Sequence, residues 1–230
     1  MTITTVLILF LSVIFGAFFV EIFKPKKKKN IQILLTFSGA YLLAISLLHL
    51  LPELFKYNTT KNIGLYIFAG FVLQIFLKYC SHGIQHGHLN KKNIIPFSVL
   101  FSLCIHAILE GIPLGGGLEK HTHNALLYGV ALHKLPVSIV LMTFFMQVKI
   151  KKSKAYILLL IFSCMGPAGV YLGGLFDPIM LLQDEINAIV IGTFLHISTT
   201  ILFESTDNHQ FNTKKIIILL IGALAAMLSI

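Results

Sequence analysis

The sequence contains few charged residues and few cysteines. Only 12% of its 230 residues are charged whereas 56% are hydrophobic, which is more apolar surface than one soluble core of this size can bury. The three cysteines, at positions 80, 104 and 164, show no paired spacing, so neither a disulfide framework nor a Cys-x-x-Cys metal site is expected. The composition therefore excludes a soluble globular domain and indicates an integral membrane protein.

Long apolar runs, separated by short polar blocks, define the expected fold. A helix needs roughly 20 residues to cross the hydrocarbon, and these runs are continuously apolar, whereas the strands of a barrel would alternate. We predict an all-α integral membrane protein with eight transmembrane helices in one domain, residues 1–230. The predicted spans are Ile3–Phe23, Ile31–Leu51, Ile63–Cys80, Ile94–Leu114, Ala125–Val148, Ala155–Phe176, Ile186–Phe203 and Ile216–Ile230.

Arginine is absent, so all eighteen basic residues are lysines, and the formal net charge is +9. Fourteen of the lysines flank the loops between spans one and two, three and four, five and six, and seven and eight. Under the positive-inside rule these loops face the cytoplasm and both chain termini face outward. Because the lysines stand in short topology-setting blocks, we expect contact with the lipid bilayer and no nucleic-acid partner. The expected location is multi-pass in the cell (inner) membrane.

The most informative polar residues are His106 and Glu110 in span four. Four residues apart, they share one helix face, and lipid solvates neither, so each must meet a partner, a water-filled path or a cation. Span five places His133 and Lys134 at a similar depth, followed by Pro136, which frees a backbone carbonyl. A polar contact that only holds helices together is the alternative to a binding site.

Further polar side chains occur at the span ends and in one loop. His49 and Glu53 end span two near the outer surface, and span seven carries His196 centrally and Glu204 at its inner end. Packing, or an ordinary interfacial position, is the alternative to a functional role for each of them. The predicted cytoplasmic loop 81–93 is rich in histidine, which indicates weak metal capture. Its three histidines are His82, His86 and His88.

The donor types favour a transition metal. Imidazole and carboxylate together suit zinc and other first-row divalent ions, whereas magnesium sites use mostly oxygen. His106, Glu110 and His133 are therefore the candidate core ligands, and water or the carbonyl freed by Pro136 can complete four-coordination.

Four motifs surround these residues: LLHLLPE at the end of span two, HAILEGIPLG in span four, HKLP in span five and GPAGVYLGG in span six. Together with eight spans, outward termini and a histidine-bearing inner loop, they resemble the ZIP family of divalent metal transporters. The resemblance implies a bundle with spans four and five central and metal ligands at His106, Glu110 and His133. It also implies cation movement into the cytoplasm by alternating access. His49 and Glu53 would attract the ion outside, and Glu204 with the loop histidines would receive it inside.

The sequence departs from the family pattern at four positions near the core site. Lys134 and Val137 stand where many members have ligands in span five, and Ala107 and Gly166 replace donors in spans four and six. Each change removes a donor, so we expect one core metal, with Lys134 neutralising Glu110 where a second ion would sit. The expected substrate is Zn²⁺, with Fe²⁺ or Mn²⁺ as alternatives.

Other interpretations remain open from sequence. An intramembrane zinc hydrolase needs the same His and Glu residues, but no HExxH motif is present, so we do not expect an enzyme. A haem-binding subunit and a purely structural bundle are further alternatives, and a homodimer is one option for the assembly. Gly111 and Gly115, spaced as small-xxx-small, predict a close approach of span four to a neighbouring helix.

Overall fold

The chain is a helical bundle in a computed structural model. The structure describes residues 3–23, 28–57, 62–80, 96–116, 118–176, 183–204 and 213–229, and within these ranges all regular structure is helical. We number eight helices in chain order. They are α1 (Ile3–Phe23), α2 (Lys28–Ile45, continued by Ser46–Leu50 and Leu51–Tyr57), α3 (Ile63–Cys80), α4 (Pro96–Gly111, continued by Ile112–Gly115), α5 (Lys120–Gln147), α6 (Lys152–Phe176), α7 (Gln183–Glu204) and α8 (Thr213–Leu228).

Each helix coincides with one predicted span, and the bounds differ by a few residues at the ends. Seven of the described helices are long and apolar enough to cross a membrane. The eighth, α8, has 16 residues, which at 1.5 Å per residue is about 24 Å, short of the roughly 30 Å hydrocarbon layer. The predicted all-α membrane fold is confirmed, and α8 is its shortest span in the described part of the chain.

Two helices change their winding next to candidate functional residues. In α2 the segment Ser46–Leu50 is a π-helix that contains His49, and π-turns inside α-helices are frequent at functional sites. In α4 the α-helix gives way to a 3₁₀ turn at Ile112–Gly115, where Pro113 has no N–H to donate. Pro136 lies inside α5, where it leaves the carbonyl of Leu132, four residues earlier, without its helical donor.

The helices pack as two groups of four. One group contains α1, α4, α5 and α6, and the other contains α2, α3, α7 and α8. The groups meet chiefly where α2 packs on α5 and where α3 and α7 pack on α4. Helix α5 is the most buried, with 78% of its most apolar segment inside the protein, compared with 67% for α7 and 56% for α4 and α2. The central place expected for span five is therefore evident, and α7 is more enclosed than the sequence indicated.

Glycines let α4 and α6 approach at backbone contact. A Cβ atom at Gly169 would collide with the carbonyl of Ile108, and one at Gly173 would collide with that of Ile112. From the other side, Gly111 and Gly115 face the α6 backbone equally closely. Small residues at such contacts are the usual way in which membrane helices gain packing area. The predicted close approach of span four is confirmed, with α6 as the partner.

Candidate metal site

Helices α4 and α5 bring His106, Glu110 and His133 together in the bundle interior. His106 Nε2 lies 3.1 Å from Glu110 Oε1, and His133 Nε2 lies 3.8 Å from the same oxygen. The two imidazole rings are nearly perpendicular, with centroids 5.9 Å apart. One ligand atom from each residue lies within 4.8 Å of the others. Ligand atoms of one tetrahedral zinc lie about 3.3 Å apart, so small side-chain shifts suffice to enclose an ion.

These three side chains are almost completely buried. His106 and His133 are 2% exposed and Glu110 is 1% exposed. Glu110 Oε1 faces two imidazole nitrogens, yet it accepts no hydrogen bond, and Nδ1 of each histidine also has no hydrogen-bond partner within the described residues. Buried polar atoms are normally hydrogen-bonded, so this arrangement suits a cation placed among the donors better than direct contacts between them.

Lys134 occupies the other side of the Glu110 carboxylate. Its Nζ donates a 2.8 Å hydrogen bond to Glu110 Oε2 and lies 5.7 Å from the centroid of the Phe162 ring. A Cβ atom at Gly166 would lie 3.1 Å from Lys134 Cε, which is tighter than ordinary packing. A side chain at position 166 would therefore require Lys134 to shift by a few tenths of an ångström, so the two departures from the family pattern lie in contact.

Comparison with known proteins agrees with this geometry. The family model described as ZIP Zinc transporter matches residues 81–230, which include α4 to α8 and the whole His106, Glu110 and His133 cluster. The chain belongs to the ZIP zinc transporter family. "Zinc transporter ZIP1" of Homo sapiens and that of Mus musculus are each 28% identical to it over 130 residues. Each match covers 54% of this chain and 40% of the relative, so the chain spans about two fifths of the length of these curated relatives.

The ZIP chain has a cavity of about 190 Å³ at the end of the bundle that carries Glu53. Glu53 Oε1 accepts a 2.9 Å hydrogen bond from the Glu119 N–H, and its Oε2 is buried without a hydrogen-bond partner in the described part of the protein. This contact joins the end of α2 to the residue before α5. His49, one turn earlier, is partly buried in the π-helix. Glu53 and two polar residues of α7, Asp184 and Asn187, line the cavity, together with Leu50, Leu54, Pro113, Leu118, Val190, Ile191 and Phe194.

Of the remaining candidate path residues, His196 is the one whose side chain the structure describes. His196 lies in α7, where its ring meets the Phe71 ring edge-on at 5.0 Å. Glu204 is the last residue of α7, and its side chain lies outside the described residues. The loop histidines, His82, His86 and His88, also lie outside the described residues.

Sequence reasoning missed three polar residues that the tertiary structure singles out. Asp184 and Asn187 begin α7 in sequence, and nothing in their spacing relates them to Glu53. Gln74 is fully buried in α3, and neither amide atom has a hydrogen-bond partner among the described residues. The signal for Gln74 was visible, because it is the one amide in the apolar run IGLYIFAGFVLQIFLKYC.

Proposed function

We propose that this ZIP chain carries a divalent transition-metal cation across the membrane, with Zn²⁺ as the preferred substrate. The buried cluster of His106, Glu110 and His133 is the observation that supports the proposal. Two imidazoles and a carboxylate match the ligands that zinc takes, and Fe²⁺ and Mn²⁺ are accepted by the same donor types. The matched relatives are named as zinc transporters, which favours transport over an intramembrane hydrolase that would need the same residues.

We propose one core metal ion rather than two. The Lys134 ammonium already neutralises Glu110 on the side opposite the histidines, at 2.8 Å. A second cation there would be repelled by the ammonium and would find few donors, because Val137 and Gly166 supply no side-chain ligand. The remaining coordination position of the core ion suits water or the Leu132 carbonyl that Pro136 leaves without a helical donor.

The proposed direction of movement is from the Glu53 end to the lysine-rich end. Glu53, with His49 behind it, would draw the ion into the outer cavity, and Pro113 and Phe194 line the same cavity as apolar walls. At the inner end, Glu204 and the histidines of loop 81–93 would receive it. Movement of one helix group against the other would expose the core site alternately, because that site lies in the α1, α4, α5 and α6 group.

Metal accumulation in cells tests the proposal. Cells expressing His106→Ala or Glu110→Ala should accumulate far less zinc than wild type at equal membrane abundance, because each change removes a ligand from the core site. His121→Ala is the matched control, since His121 is an exposed histidine at the start of α5. Wild-type accumulation in both core variants would remove the central claim, whereas reduced protein amount with normal transport per molecule would indicate helix-holding contacts instead.

Metal titration of purified protein tests the single core ion. We expect one tight zinc ion per chain when His82, His86 and His88 are replaced, because Lys134 fills the second position. Two tight ions in that variant would contradict the assignment of Lys134.

Competition between zinc, iron and manganese in reconstituted vesicles would then rank the substrates.

A further inference from the structure

A fully buried glutamine in α3 has no role in the site described so far. Neither Oε1 nor Nε2 of Gln74 has a hydrogen-bond partner among the described residues. Burying an amide in apolar surroundings without partners is energetically costly. Because lipid offers no hydrogen bonds at membrane depth, the amide requires a polar ligand held inside the bundle.

Contacts between α3 and α7 fix the depth of Gln74. The two helices run in the same direction if successive spans alternate, because four crossings separate them. Gly70 meets the backbone of Ile189, Gly192 meets that of Ile67, and the Phe71 ring meets the His196 ring. Gln74 follows Gly70 by four residues and Phe71 by three, so it lies one turn further along the same face. Gln74 is therefore level with the turn of α7 that carries His196.

Contacts between α3 and α4 place the same residue level with the core site. The Ser102 hydroxyl of α4 donates a hydrogen bond to the Leu77 carbonyl of α3. Because the chain direction of α4 opposes that of α3, the step back from Leu77 to Gln74 corresponds to the step forward from Ser102 to His106. Gln74, His106 and His196 thus lie at a similar depth of the bundle, on three helices that contact one another pairwise.

His106 has a nitrogen available on each side of its ring. Nε2 lies 3.1 Å from Glu110 Oε1, whereas Nδ1 is buried and has no hydrogen-bond partner in the described part of the chain. A neutral imidazole has one lone pair for a metal, on whichever nitrogen lacks the proton. His106 can therefore bind an ion at the core site through Nε2, or at a second site through Nδ1, but only one at a time.

We propose that Gln74 binds the transported cation at a second, weaker station, with its amide oxygen and the imidazoles of His106 and His196 as donors. This inference rests on the proposed function and adds a second binding site to the transport path. The station has no carboxylate, so it holds a divalent ion less tightly than the core site with Glu110. The ion passes between the two as His106 changes tautomer: its proton is on Nδ1 while Nε2 binds the ion, and on Nε2 once Nδ1 binds it. Several weak sites favour transport, because the ion must leave each of them quickly.

Zinc uptake into vesicles containing the purified full-length protein tests the station. Gln74→Leu replaces the amide by an apolar group of similar size and should lower uptake per molecule about ten-fold, the usual scale for loss of a metal-site partner. The tight zinc affinity of the core site should stay unchanged. Thr193→Val is the matched control: Thr193 is also fully buried, on α7, but its hydroxyl already donates a 2.7 Å hydrogen bond to the Val190 carbonyl. Uptake by this control should equal that of wild type.

Wild-type uptake by Gln74→Leu overturns the proposal and leaves Gln74 with a trapped water. If Gln74→Leu does not reach the membrane, zinc titration of Gln74→Glu in the Glu110→Ala background decides, because there the core site no longer holds His106. The added carboxylate should raise the zinc affinity above that of Glu110→Ala alone, and equal affinities overturn the proposal. His106→Ala separates the two levels of inference. Normal uptake by His106→Ala refutes the proposed function itself, whereas its loss beside normal uptake by Gln74→Leu refutes the second station alone.

Discussion

Replacing Lys134 by methionine should make the stability of this protein depend on zinc. Methionine keeps most of the length of the side chain but removes the ammonium that donates to Glu110 Oε2 at 2.8 Å. Lys134 and Glu110 are 2% and 1% exposed, so the remaining carboxylate has no access to solvent. Removing one partner of a buried ion pair typically destabilises a protein by about 3–5 kcal/mol.

Thermal unfolding of the purified protein in detergent measures the effect. For a chain of this length, 1 kcal/mol corresponds to roughly 2–4 °C, so metal-free Lys134→Met should unfold roughly 10 °C below wild type. Zinc should raise the melting temperature of Lys134→Met more than that of wild type, because in the variant the ion supplies the positive charge that Glu110 lacks. Zinc present at 100 times its Kd should stabilise the folded variant by about 2.7 kcal/mol.

Two further variants decide whether burial of the charge is the cause. Lys152→Met removes a lysine that pairs with Glu21 at the exposed C-terminal end of α1, where ion pairs contribute only about 0–1 kcal/mol. Adding Glu110→Gln to Lys134→Met should restore part of the metal-free stability, because the unpaired carboxylate disappears. Metal-free Lys134→Met as stable as wild type, or no recovery in the double variant, would refute the reasoning.

Two further pairs of substitutions test the packing of α4 on α6 and the hydrogen bond of Glu53. Gly173→Val should destabilise the protein by about 1–3 kcal/mol, since its side chain would strike the Ile112 carbonyl. Gly64→Ala should be tolerated, because nothing lies within 4 Å of a Cβ there. Equal membrane yields of the two variants would contradict the close α4–α6 contact. Glu53→Gln keeps an acceptor for the Glu119 N–H, so its melting temperature should exceed that of Glu53→Ala by the equivalent of about 1 kcal/mol, and identical melting temperatures would show that the contact is dispensable.

Much of the fold could be predicted because each span carries its own signal. A lipid-crossing helix satisfies its backbone internally and shows an apolar face to lipid, so length and hydropathy suffice to locate it. Ile3–Phe23 and Ile63–Cys80 have the predicted bounds, and the other helices are displaced only at their ends. Helix ends are harder to predict because neighbouring loops and lysines extend the helix beyond the apolar run, as at Lys120 and Lys152.

The candidate ligands could also be named from sequence, and for a local reason. His106 and Glu110 are one turn apart on one helix, so the helical repeat alone places them side by side. Their meeting with His133 was predicted from its similar depth in span five and from the resemblance to the ZIP family, since no spacing rule relates two different helices. The structure brings the three side chains together, and metal binding by them stays a prediction that the accumulation assay tests.

The sequence alone determined the class of protein and a candidate donor set, because hydropathy, lysine placement and an ionisable pair within one helix are local properties. Only the tertiary structure decided which residues lie in contact or at a similar depth. Lys134 and Gly166 are 32 residues apart in sequence, yet they lie in contact. The depth of Gln74 relative to His106 and His196 follows only from the contacts of α3 with α4 and α7. Such relations depend on how helices cross, and the packing of the whole bundle sets those crossings.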